Sequence, residues 1–177
     1  AEGAKWKVIE PYLVNPSNAH SLNESIIVEN VALDISKWET ASGKDILGNG
    51  VTNYSLLSAD TSSPDDLNEV YFGSISDEGA IAVTIVWGVF RGPPFLRELV
   101  EWDQVYDQED FNWSLTGELN KTDFENIATH EIGHSFGLSH PSDICLEETM
   151  YRFASEGETK KRDLNSGDIA GITALYT

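Results

Sequence analysis

The sequence predicts an α+β fold built on a mixed sheet, and three observations carry that expectation. Short apolar or alternating runs fill the first two thirds of the chain, one helical repeat interrupts them early, and two helical segments close it. The 177 residues, 40% hydrophobic and 10% aromatic, are enough to bury a core in one compact unit. No repeat, low-complexity tract or linker divides them, so a single domain over 1–177 is expected.

Residues 6–14 have the apolar content of a first strand, and Asn15-Pro16-Ser17-Asn18 follows as a turn. Ser21 with Glu24 three residues on has the form of a capping box. A helix should follow, because Ile27, Val31, Ile35 and Trp38 recur at helical spacing and Gly43 can close it. Strands are expected at 54–57, 70–72, 81–90 and 99–106, with 60–66 a polar loop. Thr122 with Glu125 forms a second capping pattern, opening a helix through Phe124, Ile127 and Ala128 to Phe136. Ser166 and Asp168 suit the start of a last helix carrying Ile169, Ile172 and Leu175.

Thirty acidic residues against eleven basic ones leave a net charge of −19. Such a surface repels nucleic acid and anionic membranes, so neither is expected as a partner. It attracts cations, and its carboxylate-rich loops are where calcium would bind, although a solvated surface on a secreted or salt-adapted protein is the plainer account. No apolar run reaches the roughly 18 residues of a membrane span. Cys145 is the one cysteine, so no internal disulfide forms and the redox compartment is not legible. Ala1-Glu2-Gly3 does not have the form of a leader peptide; a mature chain and the expressed part of a longer one fit equally well.

Residues 130–140 read HEIGHSFGLSH. His130 and His134 are four apart, so on a helix their imidazoles project from one face and can share a metal ion. Glu131 follows the first of them and projects beside that face. Gly137 can take a positive φ and break the helix sharply, letting His140 return as a third ligand. Three protein ligands leave the fourth tetrahedral position open, the mark of a catalytic rather than a structural zinc. A lone histidine says little, but a chance match at five fixed positions has odds of about 10⁻⁵ at ordinary residue frequencies. The chemistry implied is hydrolysis by a zinc-activated water, with Glu131 moving the proton and no covalent intermediate.

With its glycine and third histidine, the motif resembles the metzincin clan of metallopeptidases. The clan has a methionine-containing turn beneath the zinc, and Met150 in Glu148-Thr149-Met150-Tyr151 lies ten residues past His140. Within the clan, Met150-Tyr151 and the tail Ser166-Gly167-Asp168-Ile169-Ala170-Gly171-Ile172 resemble the matrixins, the matrix-metalloproteinase-like family, in a microbial-type form. The resemblance implies a twisted, mostly parallel sheet with one antiparallel edge strand, three helices and a Met-turn. It implies an upper subdomain over about 1–137 and a lower one over about 138–177. Asp168 would match the second of two family aspartates, which supports the Met-turn; Gly167 replaces the first, so a salt bridge to a freed N terminus is not expected. Val83 and Val105 stand where vertebrate members carry histidines for a second zinc, so one zinc is expected.

The likeness also makes 81–84 an edge strand for substrate, with Ile81, Ala82 and Val83 in contact with it; Tyr151 and Phe153 either line the pocket beyond the cut or pack in the core, two readings of equal weight. Asp107 and Asp110 match calcium-ligand positions in the family. Cys145 is expected as a small residue bordering the specificity pocket, and Lys160-Lys161-Arg162 as a surface cluster. The function implied is a secreted, monomeric zinc metalloendopeptidase acting on protein or peptide. Two rivals are an inactive binding module, against which the presence of Glu131 argues, and a hydrolase of non-protein amides using the same chemistry.

Overall fold

The computed structural model describes residues 3–177. Its elements, in chain order, are β1 (Tyr12–Asn15), α1 (Glu24–Ser42), β2 (Gly50–Thr52), β3 (Asn68–Gly73), β4 (Ala82–Val89), β5 (Glu98–Asp107), β6 (Trp113–Ser114), β7 (Thr122–Asp123), α2 (Phe124–Ser135) and α3 (Ser166–Tyr176). Short 3₁₀ turns occupy Pro94–Leu96 and Lys160–Arg162. Five strands form one sheet in the order β2-β1-β3-β5-β4, parallel throughout except for β4, which lies antiparallel at the edge. A mixed, mostly parallel sheet with three α-helices and one antiparallel edge strand is the fold of a metzincin, as the sequence leads one to expect.

The strands depart most from expectation at the first two, and the short β6 and β7 are not among those the sequence predicts. The first strand spans only Tyr12–Asn15, because Pro11 offers no N–H to a ladder. Upstream, Trp6 turns inward, and its indole donates to the Ser135 carbonyl at 2.7 Å. The strand expected at 54–57 does not form, and β2 lies at Gly50–Thr52 instead. The Asn53 side chain accepts from the Ser55 amide at 2.8 Å and turns the chain outward, leaving Leu56 96% exposed.

The helix starts are also displaced. Ser21 has a φ of 56° and cannot cap; the Asn18 side chain accepts from the His20 and Leu22 amides, and Asn23 caps α1 instead. Asp123, not Thr122, caps α2 by accepting from the Asn126 amide at 2.9 Å, and Asn165 precedes α3 in a box with Asp168. Gly43 closes α1 in the left-handed conformation, with φ of 69°.

The core lies between the sheet and the helices. Phe72, Tyr106, Trp113 and Phe124 form one aromatic cluster, with ring centroids 5.0–6.1 Å apart. Polar contacts then fix α2 against β5: Gln104 donates to the Ser135 hydroxyl at 2.9 Å and accepts from the Tyr106 hydroxyl at 2.8 Å. The helix that carries the histidines is therefore held in both rotation and height beneath the sheet.

Candidate active site

His130 and His134 project from the last two turns of α2. Gly137 follows with φ of 99°; a Cβ there would lie 2.8 Å from the Ala4 carbonyl oxygen, so only glycine makes this bend without strain. The bend returns His140 to the other two. Its Nε2 lies 3.1 Å from His134 Nε2 and 3.2 Å from His130 Nε2.

The donor set fits a zinc ion. His130 Nδ1 meets the Thr149 carbonyl at 2.7 Å, and His134 Nδ1 meets the Leu138 carbonyl at 2.8 Å. A carbonyl only accepts, so each of these Nδ1 atoms carries the proton and each Nε2 offers a lone pair. The His130 and His134 lone pairs both meet His140 Nε2, and a cation is the partner that all three nitrogens can share. Two nitrogens about 2.05 Å from a tetrahedral zinc would be about 3.3 Å apart, close to the spacing found. Burial holds the histidines neutral: His130 lies well below its ordinary pKa, His134 below it, and His140 falls to about 4.

Glu131 is 6% exposed, and its Oε2 accepts from the Thr84 hydroxyl on β4 at 2.5 Å. Burial raises its pKa to about 7, against the lowering effects of the Thr84 hydrogen bond and Lys161. Thr84 is therefore a positioning residue that the motif alone does not reveal, since it lies 47 residues away and meets Glu131 only through the sheet.

Beneath the histidines, Met150 is buried and the turn Glu148–Tyr151 closes through the Tyr151 amide and the Glu148 carbonyl at 3.0 Å. Asp168 accepts from the Thr149 and Met150 amides at 2.7 and 3.1 Å, tying the start of α3 to the turn whose carbonyl fixes His130. A Cβ at Gly167 would meet the Glu148 carboxylate at 2.7–2.9 Å, so that carboxylate fills the space an aspartate at 167 would need.

A cleft of about 630 Å³ runs past the three histidines and Glu131 along β4. Ile81, Ala82, Val83 and Thr84 line it, as do Arg152, Phe153 and Ala154. Tyr151 stands outside the lining: its ring packs against Phe153, 5.7 Å between centroids, with the Lys161 ammonium 5.7 Å from its centre. Cys145 also lies elsewhere, half-buried in a smaller cavity beside Met150 and Asp168. The basic run at 160–162 is no surface cluster. Lys161 is 1% exposed and lines the cleft, and Arg162 is paired with Asp123 at 2.6 Å.

The expected calcium pair does not converge on a third carboxylate. Asp107 is fully buried and accepts from the Ile75, Glu109 and Asp110 amides, which occupies both its oxygens. Among the described residues a different acidic group meets instead: Asp60, Glu101 and Asp103. Asp60 Oδ2, Glu101 Oε1 and Asp103 Oδ1 are buried without a hydrogen-bond partner, and Glu101 and Asp103 are 0% and 1% exposed. Burial and mutual repulsion raise Asp103 to about 7 and Glu101 above its ordinary value. Sequence reasoning missed this group because Asp60 lies in an irregular loop that only the fold brings over β5.

Fold and site together resemble those of the matrixin-like metzincins. Residues 94–177 match the family model described as Matrixin. Among curated proteins, the chain is 39% identical over 74 residues to Metalloendoproteinase 2-MMP of Arabidopsis thaliana, covering 38% of this chain and 19% of that protein. It is 38% identical over 77 residues to Metalloendoproteinase 1 of Glycine max, covering 40% and 24%. To Matrilysin of Homo sapiens it is 38% identical over 68 residues, covering 38% and 24%. The chain thus spans about a fifth to a quarter of the length of these relatives.

Proposed function

We propose that this chain is a zinc metalloendopeptidase, secreted and monomeric, that hydrolyses internal peptide bonds of protein or peptide substrates. The observation that carries the reading is the convergence of His130, His134 and His140 beside a buried Glu131, in a cleft bordered by an edge strand. We treat 1–177 as one catalytic unit, with 1–137 above the cleft and 138–177 below it. Among the described residues no helix is long and apolar enough to cross a membrane.

A bound zinc ion would supply a Lewis acid and bring the pKa of a coordinated water to about 7. Glu131 then takes the proton of the attacking water and passes it to the leaving amine. The Thr84 hydroxyl holds one Glu131 oxygen and so fixes the carboxylate in the cleft that the histidines also line. Beyond Ile81 and along β4, the outer edge of the sheet has backbone groups to which an extended peptide can add as an antiparallel strand. Substrate then binds largely through main-chain hydrogen bonds, which fix the reacting carbonyl beside Glu131.

Catalytic efficiency measured against substrate length tests the reading. Peptides of about six residues should be cut at least roughly 10²-fold faster than dipeptides or free amides, because binding along β4 orients the bond to be broken. Equal rates for small amides and hexapeptides would instead identify a hydrolase of non-protein amides.

Calcium is a second component of the proposal, at Asp60, Glu101 and Asp103 in preference to Asp107 and Asp110. Three partnerless carboxylate oxygens, two of them on side chains at most 1% exposed, are costly to bury and make a hard-cation site when brought together. At 100 times its dissociation constant, calcium would stabilise the native state by about 2.7 kcal/mol. That corresponds to a rise in Tm of roughly 5–10 °C for a chain of this size. Magnesium at equal ionic strength should give much less, and Asp103→Asn should abolish the difference. Without calcium, the raised pKa of Asp103 favours the protonated fold below about pH 4, and that contribution is lost as pH rises through about 7. The calcium response should grow over the same interval. Equal responses to the two ions would leave only charge screening.

A further inference from the structure

Lys161 lines the cleft and has no part in the hydrolytic chemistry proposed above. Its side chain is 1% exposed, and its ammonium donates to the Tyr151 and Phe153 carbonyls at 2.5 and 2.8 Å. The Lys161 amide is itself anchored on the Asn126 side chain at 2.8 Å, so the residue is held from both ends. It forms part of the cleft lining together with Ile127, Glu131 and Ala154.

Neighbouring cations have their charges met. Arg152 reaches Asp143 at 2.9 Å, Lys160 reaches Glu147 at 3.1 Å, and Arg162 reaches Asp123 at 2.6 Å. Among the described residues, no carboxylate lies within ion-pair distance of the Lys161 ammonium, although the chain carries thirty acidic residues. Two carbonyl dipoles satisfy two of its three protons, and the Glu158, Glu131 and Asp168 carboxylates act on its charge only from beyond ion-pair distance. Burial accordingly lowers its pKa from the ordinary lysine value. A buried cation is expensive unless an anion joins it, and the remaining open side is the cleft.

We propose that Lys161 makes this cleft selective for a substrate side chain ending in a carboxylate, Glu or Asp, at the residue just beyond the bond that is cut. The apolar lining residues Phe153, Ala154 and Ile127 take the methylene stem, and the carboxylate supplies a direct counter-charge. Because the site is desolvated, the charge-assisted bond is worth more there than at the surface. The inference rests on the endopeptidase reading above.

Two measurements test it. The first is competition between peptides identical except for Glu, Gln or Leu at that position, cut by the zinc-loaded protein. Wild type should favour Glu over Leu by roughly tenfold or more in kcat/KM, and Lys161→Met should reverse that order. A lysine that merely braces the 151–153 segment would lower both rates and leave their ratio unmoved. The second is equilibrium binding of the same peptides to Glu131→Gln protein, with and without Lys161→Met, which needs no turnover. The Glu peptide should bind roughly tenfold tighter than the Leu peptide only when Lys161 is present. Preference for Leu or Gln in wild type, or an unchanged ratio in the methionine variant, overturns the selectivity while leaving the endopeptidase reading intact. Failure to cut any of the peptides overturns both.

Discussion

Glu131→Gln should lower peptide hydrolysis by at least about 10²-fold while zinc content stays at one ion per chain. The two halves of that result rest on different parts of the structure. Zinc stays because the nitrogens that converge belong to His130, His134 and His140, and the Thr149 and Leu138 carbonyls orient the first two independently of residue 131. Hydrolysis falls because the glutamine amide has the shape of the carboxylate, and can still accept from the Thr84 hydroxyl, but cannot carry a proton between water and amine. In the proposed mechanism the buried Glu131 carboxylate is the base, and glutamine removes that base while keeping its shape. Near-normal turnover by the variant, or loss of its zinc, would show that Glu131 has another role.

The core of this site was legible because its determinants are local. His130 and His134 need only helical periodicity, and the return of His140 needs only a glycine where φ is positive. The sheet was legible for a related reason. β3, β4 and β5 each hold a run of apolar or alternating residues, and the structure extends or trims each by no more than two residues at either end. Errors came where a side chain several residues away decides the backbone. Asn18 and Asn53 redirect the chain through their own hydrogen bonds and so move a cap and erase a strand. Long-range electrostatics was the least legible. Lys161, between Lys160 and Arg162, has the composition of a solvated cluster, and only the fold turns it under the 151–153 segment. The same holds for Asp60, which meets Glu101 and Asp103 across more than forty residues.

Asp168→Ala should damage both fold and metal site, although Asp168 is absent from the lining of the main cleft. The residue is 3% exposed, and its two oxygens accept three amides: Thr149 at 2.7 Å, Met150 at 3.1 Å and Asn165 at 2.9 Å. Thr149 and Met150 are themselves buried, so removing the carboxylate strands two amides where water has little access. Each stranded donor costs about 1–3 kcal/mol, and the third amide and the small cavity add to it, giving about 3–5 kcal/mol in all. For a chain of this length that lowers Tm by roughly 10 °C. The effect should reach the metal as well, because the Thr149 carbonyl orients His130 and Met150 packs under Gly133, where an added Cβ would lie 2.2 Å from its sulfur. A turn that shifts therefore moves a ligand, and zinc affinity should fall by about tenfold or more, the usual penalty for disturbing a ligand's supporting contact. Asp168→Asn should fall between the two, since it keeps one acceptor oxygen but turns an amide group towards the other donors. Calorimetry and competition with a chromogenic chelator measure the two effects separately. An alanine variant that melts with the wild type and holds zinc as tightly would show that the Met-turn keeps its shape without α3.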